Sequence, residues 1–235
     1  MPKKLLLIDA YALIYRAYFA FINRPIRTSK GLNTSAIYGF TKSLLDALKK
    51  IEPTHFAVAF DLSGPTFRTE LYPEYKANRQ ETPEDIRIAI PIIKRLLALM
   101  NIPIVELKGY EADDIVGTLA KKAEKANFSV FMMTPDKDYT QLVSNQIRIL
   151  KPRRSGFDVE ILGPDEVCQN FGIQHPSQVI DILALWGDAS DNVPGAPGIG
   201  EKSAKELIGK FGSLENLYDH LDKIKPKQKE SLSAN

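Results

Sequence analysis

The chain has 235 residues, 44% of them apolar and 26% charged, with 31 Lys and Arg against 29 Asp and Glu for a formal charge of +2. That length allows one large domain or two small ones with a substantial core, and the proportions are those of a soluble globular protein. The apolar run after MPKK meets Asp9 too soon for a signal peptide, and no run reaches membrane-span length. The single cysteine, Cys168, excludes a disulfide framework and a thiolate metal centre, which fits a reducing cytoplasm.

LLLID (5–9) predicts a buried strand and 10–22 a helix, with a second helix over about 35–50 that ends before Pro53. FAVAFD (56–61) is the next strand, and 83–100 is a long helix opened by Pro83. IPIVEL (102–107), SVFMMT (129–134), IRILK (147–151) and VEIL (159–162) complete the strands, with a helix over 112–126. This alternation predicts an α/β fold, a mostly parallel sheet covered by helices on both faces. After about residue 163 the strand patterns stop. Helices are expected over 164–171, 176–186, 201–210 and 213–221, around a Gly/Pro-rich stretch, GDASDNVPGAPGIG (187–200). The expected organisation is therefore an α/β core over 1–163 and a helical subdomain over 164–235.

Acids recur at the predicted strand ends. LLLID ends at Asp9, FAVAFD ends at Asp61, and SVFMMT runs into Asp136 and Asp138. GYEADDIVG (109–117) places Glu111, Asp113 and Asp114 after the strand at 102–107 and at the start of a helix. Acids in a first helical turn complement its positive end and cap free N–H groups, so one such cluster is ordinary. Asp188 and Asp191 add a further pair from the loop after a helix. In open α/β sheets the carboxyl ends of the strands form the ligand crevice. Several mutually repelling carboxylates on that edge have no structural use, and bound cations would compensate them. Oxygen donors without His or Cys point to Mg²⁺ or Mn²⁺, and their number to two ions. Two such ions about 4 Å apart stabilise the attacking and leaving oxygens of an in-line phosphoryl displacement.

PGIGEKSAKELI (197–208) reads as a Gly-x-Gly turn opening a helix, after an apolar helical segment. Backbone N–H groups of Gly198, Ile199 and Gly200 would approach a phosphate there, and a β-branched residue at Gly200 would block that approach or strain a left-handed turn. Lys202 and Lys205 add attraction without reading sequence. Helix, Gly-x-Gly, then helix points to a helix-hairpin-helix element. TFRTELYPEYKANR (66–79) interleaves Arg68, Lys76 and Arg79 with Phe67, Tyr72 and Tyr75. That mixture suits single-stranded nucleic acid, and equally an ordinary surface loop with a few buried rings. YRAYFAF (15–21) places Arg16 among rings, most of them core, and KIKPKQK (223–229) is a lysine run that reads equally as a solvated face.

In order, LLIDAYALIYRAYFA, AFDLSGPTFRTELYPEYKANR, GYEADDIVGTLA, TPDKDYTQLV and LWGDASDNVPGAPGIGEKSA resemble the motifs of the N-terminal 5′ nuclease domain of bacterial DNA polymerase I, in the flap endonuclease superfamily. The resemblance implies a PIN-like core, an arch near 66–82 and a helical DNA-binding motif. By motif position it implies metal ligands at Asp9, Asp61, Glu111, Asp113, Asp114, Asp136, Asp138, Asp188 and Asp191. Lys76 and Arg79 would steer the phosphate, with Arg16 close by, and Arg68, Tyr75 and the hairpin would touch DNA. It further implies K⁺ held by hairpin carbonyls. The implied activity is a structure-specific, metal-dependent 5′ nuclease acting on 5′ flaps, nicked duplex and RNA primers in replication and repair. A polymerase domain in cis, a bacterial cytoplasm and no membrane follow from the same resemblance. A PIN-like ribonuclease and a non-catalytic branched-DNA-binding module are the alternatives. Pro135 stands where the family often has Gly, Ala10 likewise, and SLSAN ends inside what reads as a continuing helical region.

Overall fold

Successive side chains of the first strand, Lys4–Asp9 (β1), enter different cores. Leu6 and Ile8 pack on one face of the sheet and Leu7 on the other, all three buried. Burying a Leu or Ile fully is worth about 1.5–3 kcal/mol, so a strand apolar on both sides settles in the middle of a covered sheet. The structure is a computed structural model and describes residues 3–153 and 159–234; the terminal Asn235 of SLSAN lies outside the described residues.

After β1 come Ala10–Ala20 (α1), Ser35–Ile51 (α2), His55–Ala59 (β2), Phe67–Leu71 (α3), Glu84–Leu99 (α4) and Ile104–Val105 (β3). Ala112–Lys125 (α5), Ser129–Met133 (β4), Ile147–Pro152 (β5) and Val159–Leu162 (β6) complete the sheet region. The C-terminal part holds Pro164–Phe171 (α6), Val179–Trp186 (α7), Gly187–Asp188 (β7), Val193–Pro194 (β8), Glu201–Phe211 (α8), Leu214–Tyr218 (α9) and Pro226–Ser233 (α10). Among the described residues no helix is long and apolar enough to cross a membrane.

The main sheet has the order β3-β2-β1-β4-β5-β6. All neighbours in it run parallel except β6, which returns antiparallel to β5. Helices α1, α2 and α4 cover one face through Leu13, Phe40, Leu44, Ile86 and Ile93. On the other face Val116 of α5, Ile182 of α7, Ile208 of α8 and Leu217 of α9 join one apolar cluster with Leu7, Val130 and Ile149 of the strands. The C-terminal helices thus share a core with the sheet. Strand order reverses at β1, with β2 on one side and β4 on the other, and the carboxyl ends at such a reversal open a crevice.

Several elements differ from the sequence expectation. The 102–107 strand shrinks to Ile104–Val105, because Pro103 has no N–H for a ladder and meets the sheet only through its carbonyl, which accepts from Val58 N at 3.0 Å. Strand β2 stops at Ala59, so Asp61 sits in the loop beyond it. The 66–79 stretch contains a short helix, α3. Strands do not cease at 163, since β7 and β8 pair antiparallel inside the Gly/Pro-rich stretch. Residues 213–221 divide into α9 and a 3-10 turn at Leu221–Lys223, and α10 forms within the lysine-rich tail, with Pro226 in its first turn.

Candidate active site

Asp9 ends β1 and caps α1, its carboxylate accepting from Ala12 N at 3.2 Å and from the Tyr139 hydroxyl at 3.1 Å. It is 8% exposed, and burial, with Asp61 and Asp136 nearby, pushes its carboxyl up to about 7. Asp61 accepts from Ala112 N at 2.8 Å, which ties the loop after β2 to the first turn of α5. Glu111 is the N-cap of α5, and its backbone N–H donates to Asp114 at 3.0 Å. The tight loop that presents these acids thereby satisfies the free donors of the helix start. Asp113, beside them, is raised to about 6, chiefly by burial. From the turn after β4, Asp136 accepts from Asp138 N at 2.9 Å. Burial raises the Asp138 carboxyl, with Asp136 adding to the rise, and Lys137 Nζ lies 3.3 Å from its Oδ1 as an ion pair.

Basic side chains meet these acids. Both Glu111 oxygens accept from Lys76 Nζ at 2.8 Å, and Asp114 takes a two-pronged bond from Arg68 at 2.7 and 2.9 Å. Burial works against the Asp114 charge, but the Arg68 bond outweighs it and lowers that carboxyl. Arg79 Nη2 lies 2.5 Å from Asp191 Oδ1, and Lys137 Nζ lies 2.5 Å from Asp188 Oδ2. Burial would raise Asp188, but bonds from Lys137 and Ser190 hold it down at about 2. Asp188 ends β7, and Asp191 lies in the turn between β7 and β8. Gly187, at φ +75°, lets these strands close to where an added Cβ would lie 2.3 Å from Gly195 N.

The structure thus gathers the acids foreseen from the sequence along one edge, each with its own internal partner. Among the described residues no three Asp, Glu, His or Cys side chains are grouped so as to hold a metal ion. Three residues expected to touch DNA are placed as follows. Tyr75 offers no ring face for stacking, being 8% exposed with its hydroxyl donating to Glu111 at 2.9 Å and Asp191 at 3.0 Å. Arg68 is engaged by carboxylates. Gly200 is extended at φ −89°, with no atom within 4 Å of an added Cβ; the left-handed hairpin residue is Gly198, at φ +76°. Ile199 is buried and Lys202 exposed, while Lys205 turns to Asn170 O at 3.1 Å and Glu201 at 2.7 Å. Arg16 donates to the Arg153 carbonyl.

Sequence reading missed Lys137 and Tyr139. Lys137 lies inside the PDKD motif, where only the acids were read, and its ammonium also sits 5.3 Å over the Trp186 ring. Tyr139 follows directly and looks like an ordinary core ring; its bond to Asp9 spans 130 residues of chain. Asn78 and Asn192 give no advance signal either, and they tie residues 74–78 to the β7–β8 turn through Ala189 O at 2.8 Å and Glu74 O at 2.7 Å.

A parallel sheet with an acidic carboxyl edge, backed by a helical part that contains a Gly-x-Gly hairpin, is matched by two family models. The N-terminal resolvase-like domain of 5′-3′ exonuclease matches residues 4–172, and the C-terminal SAM fold of 5′-3′ exonuclease matches residues 174–235. The chain belongs to the 5′-3′ exonuclease family and is a nuclease. Its relatives include DNA polymerase I of Bacillus caldotenax, 44% identical over 233 residues, covering 99% of this chain and 26% of that protein. The thermostable DNA polymerase I of Thermus thermophilus is 45% identical over 234 residues, covering 99% and 27%. The chain thus spans about a quarter of the length of the curated relatives it matches. Among solved structures, T5 5′-exonuclease with bound zinc ions superposes with a TM-score of 0.79 at 22% identity, covering 99% of this chain and 84% of that one. The catalytic core of Rad2 with a DNA substrate gives 0.59 at 19% identity, covering 99% and 72%. At those identities the likeness is one of fold.

Proposed function

We propose that this chain is the catalytic unit of a structure-specific, divalent-metal-dependent 5′ nuclease that hydrolyses phosphodiester bonds in 5′ flaps and RNA primers, leaving a 5′-phosphate. The observation that carries the reading is that acids from the end of β1, the loops after β2 and β4, the start of α5 and the β7–β8 hairpin lie at the edge where strand order reverses. The donor set fits a hard cation such as Mg²⁺ or Mn²⁺: it is all oxygen, and burial pushes the Asp9 and Asp113 carboxyls up to about 7 and about 6, with neighbouring carboxylates adding to the rise. Asp9, Asp61, Glu111, Asp113, Asp114, Asp136, Asp138, Asp188 and Asp191 would hold two such ions. When bound there, divalent cations supply Lewis acidity to the scissile phosphate and to attacking water.

The remaining work falls to the chain itself. Lys76 and Arg79, on flexible stems over the acids, orient the scissile phosphate and balance its developing charge. Arg16, outside the acid cluster, contacts the strand near its entry. Tyr139 holds Asp9 in one rotamer. The N–H groups at Gly198, Ile199 and Gly200, with Lys202 beside them, take duplex phosphates at the start of α8, and carbonyls of the same hairpin are the place for K⁺. A boundary near residue 163 separates the catalytic sheet from this DNA-holding part, with one apolar core keeping them in register. The names of the relatives support a polymerase domain in cis and a bacterial cytoplasmic, nucleoid-associated setting. The test is a 5′-labelled flap duplex incubated with the protein. Release of a labelled 5′ fragment in Mg²⁺ and none in chelator supports the reading, and intact flap under both conditions refutes it.

A further inference from the structure

Several acids of the crevice already carry a cation from within the chain, and two of the four cations that do so, Lys76 and Arg79, come from one short segment. Residues 74–79 lie as a strap across the edge, fixed by their own backbone to the β7–β8 turn. Lys76 N donates to Asp191 O at 2.9 Å, Asn78 Nδ2 to Ala189 O at 2.8 Å, and Asn192 Nδ2 to Glu74 O at 2.7 Å. In that position Lys76 spans both oxygens of Glu111 at 2.8 Å and lies 3.8 Å from Asp191, while Arg79 takes the other Asp191 oxygen. Lys76 holds this pose at φ +58°, a left-handed backbone that a lysine adopts only when its surroundings compel it. Just upstream, Arg68 covers Asp114, reaching also towards Glu111 at 3.6 Å and Asp113 at 3.8 Å.

We propose that the 74–79 strap, together with Arg68, is an internal counter-ion that occupies the carboxylates a divalent cation needs, so that cation loading and strap seating exclude each other. The inference rests on the metal-dependent reading above and deepens it. A divalent ion sharing Glu111 or Asp191 with a seated ammonium or guanidinium would meet a full positive charge within about 5 Å, in a partly dry cleft where such repulsion is poorly screened. One cation must leave. The strap is the one that moves, being a loop held by hydrogen bonds at Glu74, Lys76 and Asn78 and by the Tyr75 hydroxyl on Glu111 and Asp191. A cation taking those two carboxylates displaces the Tyr75 bonds as well. Release turns Lys76, Arg79 and Arg68 outwards as unpaired cations beside the crevice, where a phosphodiester is their next partner. The exchange delivers the phosphate clamp only once the edge is loaded.

The exchange is read without any cleavage, using the folded protein, Mn²⁺ and no DNA. Hydrogen exchange of the 74–79 amides should quicken at least tenfold at saturating Mn²⁺. Lys76→Gln and, independently, Arg79→Gln should bind Mn²⁺ on the order of tenfold more tightly than the wild type in calorimetry, because a competing cation has gone. Lys94→Gln, which removes a lysine paired with Glu106 and not with these acids, sets the background and should bind as the wild type does. Unchanged affinity in both strap variants, or 74–79 amides as protected with Mn²⁺ as without, overturns the strap and leaves the metal-dependent reading standing. A wild type that binds no Mn²⁺ at all overturns both.

Discussion

Replacing Gly187 by alanine tests how the second group of acids is placed. Gly187 ends α7 at φ +75° and ψ −179°, a backbone region that side chains hardly enter. Its missing Cβ would lie 2.3 Å from Gly195 N, 2.6 Å from Val193 O and 2.8 Å from the Pro194 carbonyl carbon, all of them backbone atoms that cannot rotate away. The conformational penalty is about 1–3 kcal/mol and forced overpacking adds about 1–3, so the total is about 2–6 kcal/mol. A mid-range loss of about 4 kcal/mol lowers Tm by about 8–16 °C in a chain of this size. Gly198 is the matched control. It has a similar φ of +76° but nothing within 4 Å of an added Cβ, so Gly198→Ala should lose only about 1–2 kcal/mol. Thermal unfolding followed by circular dichroism gives both numbers. Forcing β7 from β8 also displaces Asp188 and Asp191 from the other acids of the edge, so Gly187→Ala should lose divalent-cation affinity as well. A Gly187→Ala protein that melts with Gly198→Ala or with the wild type refutes the close approach.

Two further outcomes follow from the site. The Asp9 carboxyl stands at about 7 folded against 3.8 unfolded, so the folded state keeps its proton longer; the stability this gives is complete below about pH 4 and is lost as pH rises towards 7. In chelator, Asp9→Asn should therefore gain on the wild type by roughly 4 kcal/mol between pH 4 and pH 8 in denaturant titrations, and a pH-independent difference would sink that assignment. Gly200→Val should fold with Tm lowered by only about 2–4 °C, because its Cβ enters open space at an extended φ and only the N-cap preference of α8 is lost, yet bind duplex DNA more weakly and with a shallower salt dependence. Wild-type affinity in that variant would remove the hairpin from the DNA interface.

Asp9 and Glu111 were legible because one closes a strand and the other opens a helix whose apolar pattern is strong: Asp9 after three buried residues, Glu111 before the amphipathic α5. The sheet followed from the same patterns. What the sequence left out has two physical causes. Strands of two residues, such as β3, β7 and β8, are too short to display a period, and they exist only through partners placed by the rest of the fold. The pairing of charges is also non-local. Arg68 meets Asp114 across 46 residues and Arg79 meets Asp191 across 112, so nothing in the 66–79 stretch distinguishes a DNA-facing cation from one bound to a carboxylate. Tyr75 illustrates the ambiguity. Its basic neighbours suggest a stacking surface, whereas its hydroxyl joins Glu111 to Asp191 beneath the strap.

The central claim is that the acidic edge performs the cleavage and the helical part holds the DNA, and Asp136→Asn examines it most directly. The substitution keeps the shape of a side chain in the turn after β4 and removes its charge. Single-turnover cleavage of a 5′-labelled flap should be followed at saturating protein in Mg²⁺, alongside the affinity for the same DNA. The cleavage rate should collapse by several orders of magnitude while affinity is unchanged or slightly tighter, since a carboxylate that repels phosphate has gone. An Asp136→Asn protein that cuts bound flap at the wild-type rate would contradict that claim.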